Sequence, residues 1–110
     1  MPKAIMVVQS RPSEPSREAE YNDWYDNTHI PELCEIPGIV SARRFALSDA
    51  QLMPVDSAVP KYVAIYELET NDIAQVLKEM GSRVANGTVH MTDAIELDPA
   101  PSVTIYELLK

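Results

Sequence analysis

Four short apolar runs, with a helical segment after the first and another after the third, leave this chain few ways to fold. The runs are residues 3–9 (Lys-Ala-Ile-Met-Val-Val-Gln), 39–48 (Ile-Val-Ser-Ala-Arg-Arg-Phe-Ala-Leu-Ser), 62–68 (Tyr-Val-Ala-Ile-Tyr-Glu-Leu) and 103–109 (Val-Thr-Ile-Tyr-Glu-Leu-Leu). Each has the length and the β-branched or aromatic content of a strand. Ser13, followed by Glu14 and Pro15, offers an N-cap with proline in the first turn, which predicts a helix over residues 14–28. Apolar residues at 73, 76, 77 and 80 repeat at helical spacing, with Thr70 or Asn71 as cap and Asn86-Gly87 as stop. Ile36-Pro37-Gly38 has proline and glycine where a type II turn needs them, and residues 49–60 read as a loop long enough to form a flap. The order is βαββαβ, which on right-handed crossovers gives an α+β domain: a four-stranded antiparallel sheet with two helices on one face.

The second strand is expected to place Ile39, Ser41, Arg43, Phe45 and Leu47 on one face, and the third Tyr62, Ala64, Tyr66 and Leu68. Apolar side chains thus occur on both faces of a sheet that helices cover on one side only. A second copy packed sheet against sheet about a two-fold axis is the simplest cover.

At 110 residues the chain, 1–110, is one domain. Its net charge of −8 argues against nucleic acid and anionic membrane surfaces as partners, because both require a basic face. No apolar run reaches the ~18 residues of a membrane span, and the first residues read as a strand rather than a signal peptide, so the expected location is the cytoplasm. Cys34 is the single cysteine, expected to pack as a small apolar residue. With two distant histidines, no metal-binding set is expected, and three glycines make no phosphate-binding loop.

The stretch Tyr21-Asn-Asp-Trp-Tyr-Asp-Asn-Thr-His29-Ile-Pro31 is the candidate site. On a helical wheel Tyr21, Trp24, Tyr25 and Thr28 share the sheet-facing side, with His29 at its edge, while Asn22 and Asp23 turn toward solvent. Pro31 lacks the amide and meets the carbonyl of Asn27, so the helix is expected to break or bend near His29, leaving carbonyls that favour a cation. Asp26, three residues before His29, is placed to reach its ring.

Taken together, Glu20 to Leu33 with its Trp-Tyr-Asp-x-x-His-x-Pro pattern, Ile36-Pro-Gly38, Arg44-Phe45 and Tyr62 to Leu68 resemble the EthD-like branch of the dimeric α/β-barrel superfamily. The resemblance implies the ferredoxin-like fold, a homodimer whose two sheets form a barrel, and a ligand cavity between sheet and helices. It also implies a functional role for His29, with Trp24, Tyr25 and Asp26 beside it. It does not fix a reaction, since monooxygenases, cyclases, isomerases and haem-degrading enzymes share the fold.

An imidazole with an ordinary pKa near 6.5 can move protons in either direction near neutrality, so His29 is the expected acid/base group, against the competing reading of a structural helix-end residue. Tyr66, or Tyr62, is the expected donor to a substrate oxyanion, against simple core filling. Trp24, Tyr25, Tyr62, Phe45 and His90 are the expected ligand contacts, His90 from a loop of open path. Arg43 and Arg44 point to opposite faces, and the inward one either binds an anion or pairs with a carboxylate such as Glu67. The reading is a cofactor-independent lyase or isomerase acting on a small carbonyl, lactone or aromatic compound by isomerisation, elimination or C–C cleavage. Haem on one axial histidine, a non-catalytic ligand-binding or stress-associated dimer, and a cofactorless monooxygenase or polyketide-cyclase-type enzyme are the alternatives.

Overall fold

The computed structural model describes residues 2–110. Strands β1 (Lys3–Ser10), β2 (Ile39–Ala46), β3 (Tyr62–Glu69) and β4 (Ser102–Glu107) form one sheet in the order β2-β3-β1-β4, every pair antiparallel. The fold is the expected βαββαβ. Ala4, Met6, Ala64, Tyr66 and Leu68 are buried on the inner face, as alternation along β1 and β3 requires.

On β2, Ser41, Arg43 and Phe45 share one face as expected, but Ile39 leaves it. The register slips between Ile39 and Ser41, so Ile39 pairs with inward Leu68, Ser41 with outward Glu67, and Arg44 with inward Ala64. A bulge at this point moves Ile39 and Arg44 to the same side and turns Ser41, Arg43 and Phe45 outward. The preceding turn is as expected: Ile39 N–H donates to Ile36 O across Pro37-Gly38, and Gly38 has φ +100°.

The first helical rod begins as a short 3-10 turn (Pro15–Arg17) and continues as α1 (Glu18–Trp24), a π-helical turn (Tyr25–His29) and α2 (Ile30–Leu33). Ser13 does not cap it; its hydroxyl is buried without a partner among the described residues, and its amide donates to Ala94 O instead. The helix does not break near His29 but departs from α geometry there. The π turn widens the helix so that Ile30 N–H reaches back five residues to Tyr25 O, and Pro31 falls in the first turn of α2, where its missing amide costs least. The rod therefore passes Pro31 intact, with one extra residue in its register.

Helix α3 (Ile73–Ala85) is capped by Asp72, whose Oδ1 accepts from Gln75 N–H, rather than by Thr70 or Asn71. It touches the core through buried Val76, which packs beside Gly38. Segment 89–96 is laced to the first rod and to the residues before it: Pro12 bridges Ile95, Glu96 N–H donates to Arg11 O, and Arg17 pairs with Asp93 at 2.6 Å. Among the described residues no helix is long and apolar enough to cross a membrane.

Candidate active site

Trp24 and Tyr25 occupy the last α-helical and first π-helical positions of the rod, and both are buried. The π turn then carries His29 onto the same side. Its ring stacks on Trp24 with centroids 4.4 Å apart and planes at 25°, and Tyr25 meets it edge-on at 5.3 Å. Trp24 is itself held by its indole N–H, which donates to His90 O at 2.9 Å.

These three rings wall a cavity of about 370 Å³ between the sheet and α3. Met6, Val8, Tyr66 and Val103 form its sheet side, and Leu77, Met80 and Gly81 its α3 side. No lining residue carries a formal charge at neutral pH apart from what His29 could take up. Two polar atoms of wall residues, His29 Nδ1 and the Tyr66 hydroxyl, are buried without a hydrogen-bond partner among the described residues. Such groups normally find a partner in protein, water or ligand.

Burial pushes the His29 imidazole down to about 4 from its ordinary 6.5, and nearby Glu32 offsets only part of that. The ring is therefore neutral at physiological pH. The cation expected at a broken helix end is not favoured here, because the helix does not break and the ring is stacked in an apolar wall. Tyr66, 0% exposed, is held far above the ordinary phenol range by burial and by neighbouring Tyr25, so it keeps its proton.

The remaining expected site residues lie elsewhere. Asp26 is exposed and accepts from Arg44 Nη1 at 2.9 Å, not from His29, because it faces β2 rather than the cavity. Arg44 is the inward arginine. Its side chain, 12% exposed, also donates to Asn22 Oδ1 and lies 4.5 Å from the Tyr25 ring centroid, with Tyr21 and Tyr62 close by. Asn22, expected in solvent, is half-buried by this contact. Tyr62 shares its strand face with Tyr66 but not its cavity; its hydroxyl donates to Glu18 and accepts from Asn22. Phe45 faces outward and, with Tyr62, Arg44 and Asp26, lines a separate open cleft of about 500 Å³. His90 is outside the cavity, its Nδ1 2.6 Å from Glu32 Oε2. Arg43 meets Glu67 at 3.2 Å on the outer face.

Sequence reasoning missed the α3 side of the wall and the contribution of Met91, Ile95 and Pro101. The apolar face of α3 was visible as periodicity; the path of residues 88–101 had no periodic signal.

No protein-family model matches the chain, and no curated protein does. Solved structures do. An ethyl tert-butyl ether D (EthD) family protein from Bacillus halodurans is 16% identical, with a TM-score of 0.64 over 99% of this chain and 100% of its own. A haem-degrading protein from Mycobacterium tuberculosis, with two haems bound in its active site, is 10% identical, with a TM-score of 0.65 over 97% and 96%. A dimeric ferredoxin-like protein from an uncultured marine organism is 10% identical, with a TM-score of 0.52 over 100% and 98%. The chain has the ferredoxin-like fold of the EthD-like proteins that its sequence resembles.

Proposed function

We propose that the chain is an enzyme that moves a proton on a small, neutral, largely apolar carbonyl compound or lactone. The observation that carries this is that His29 and Tyr66, whose Nδ1 and hydroxyl are buried without hydrogen-bond partners, both line one otherwise apolar cavity. His29 takes a proton from carbon next to the carbonyl, and the Tyr66 O–H donates to the oxygen as it gains charge. The enolate formed raises the basicity of the adjacent imidazole, and Trp24, stacked on it, stabilises the imidazolium. Return of the proton to another carbon gives isomerisation; loss of a leaving group gives elimination. An uncharged wall selects against carboxylate ligands, whose desolvation nothing here would offset.

The outer sheet face, with Ile5, Val7, Val63 and Ile65 half-buried and Phe45 and Tyr106 exposed, supports a homodimer formed sheet to sheet. The dimeric ferredoxin-like neighbour is in keeping with it.

The test is exchange in heavy water. A panel of neutral cyclic ketones and lactones is incubated with the protein, and deuterium uptake at the α-carbon is followed by NMR. Uptake by the wild type, lost in His29→Ala and lowered about a hundredfold in Tyr66→Phe, is the expected result. Uptake that survives His29→Ala, or binding with no uptake across the panel, removes the proposal; the latter outcome identifies a binding protein.

A further inference from the structure

The chain has three glycines, and two of them are explained by the fold. Gly38 and Gly87 have φ of +100° and +83°, a region that side chains rarely occupy. At Gly38 a Cβ would also stand 2.7 Å from Val76 Cγ2. Gly81 is different. It lies inside α3 with no positive φ, and a Cβ built on it meets nothing within 4 Å. Neither backbone conformation nor close packing calls for glycine there, and within a helix glycine is the poorest residue after proline.

What the missing side chain does leave is space in the cavity. Gly81 is exposed and lines its rim, one turn beyond Leu77 on the same flank of α3. We infer that Gly81 sets the size of ligand this cavity admits, its bare backbone leaving room at the rim for the outer part of a larger ligand. The inference rests on the reading of the cavity as a ligand site. It does not depend on the proton transfer. An Ala or Leu at 81 shortens the cavity while improving the helix, so stability and ligand size should move in opposite directions.

Trp24 is the only tryptophan and forms part of the wall, so its fluorescence reports occupancy directly. The probes are cyclohexanone and 2-decalone, neutral ketones with one ring and two. Wild type is compared with Gly81→Ala, Gly81→Leu and the control Ser82→Ala, whose residue is outside the wall. We expect Gly81→Ala to raise Tm by a few degrees and weaken 2-decalone about tenfold while cyclohexanone is unchanged. Gly81→Leu should abolish 2-decalone binding, and Ser82→Ala should alter neither. Equal loss of both ketones, no change in either, or no binding of either to the wild type overturns the inference. Size selection measured this way stands even if exchange fails, and exchange lost without any change in ketone selection sinks only the chemistry.

Discussion

Lowering the pH from 7 to 5 should destabilise this protein through a single side chain, His29. The unfolded chain takes up a proton at the ordinary imidazole pKa of 6.5, whereas burial keeps the folded ring neutral down to about 4. Above 6.5 both states are neutral and the ring has no effect on stability. Below it the unfolded state binds the extra proton, so stability falls with pH until the folded ring also titrates near 4. At about 1.4 kcal/mol per pH unit, the loss between pH 7 and 5 is about 2 kcal/mol. Against a total of roughly 5–15 kcal/mol that is a large fraction. Glu18, Glu20, Glu32 and Asp93 are also shifted, but downward from ordinary values of 4.5 or 3.8, so their contributions are lost mainly below this window. The assay is urea unfolding at pH 7, 6 and 5, read by Trp24 fluorescence, for wild type, His29→Phe and His29→Gln. The wild-type midpoint should drop by about 1 M over this range, and the drop should shrink sharply in both variants. An equal drop in all three proteins refutes the half-buried, neutral His29.

Arg44→Met should cost about 3 kcal/mol in urea unfolding, because it leaves Asn22 without its partner and strips a cation from the Tyr25 face. Lysine should not restore the loss, since it cannot reach Asp26 and Asn22 with a planar fork. Gly38→Ala should destabilise by about 2–4 kcal/mol in the same assay, combining a left-handed backbone with the clash against Val76. Ile65→Lys, on the outer sheet face, should convert a dimer to a monomer by sedimentation velocity; an unchanged mass would place any interface elsewhere.

Much of the fold was legible because local and long-range signals agree. The alternation of Ala64, Tyr66 and Leu68 reads directly as the inner face of β3, and the Pro37-Gly38 turn delivers its chain reversal. Two misreadings share one cause. A bulge near Val40 and a π turn at Tyr25–His29 each add a residue to a regular repeat, and a period count carries the error to every residue beyond it. That is why Ile39 leaves the face it is expected to share with Ser41, Arg43 and Phe45, and why Asp26 does not reach His29. Trp24, Tyr25, His29 and Tyr66 do meet at one cavity. Tyr62, Phe45 and His90 do not, because sharing a strand face or a loop fixes direction without fixing position along the sheet.

The π turn also makes the first rod a phase shifter. One added residue rotates everything after it by about 100° relative to what came before. The upstream half is keyed to Tyr62 and Arg44 through Glu18 and Asn22 and to the 89–96 segment through Arg17 and Trp24, and the downstream half is keyed to that same segment through Glu32. Neither half can turn to follow the other. Deleting a single residue between 25 and 29 would leave a more regular helix and a worse protein, since one set of contacts must go out of phase for the other to remain.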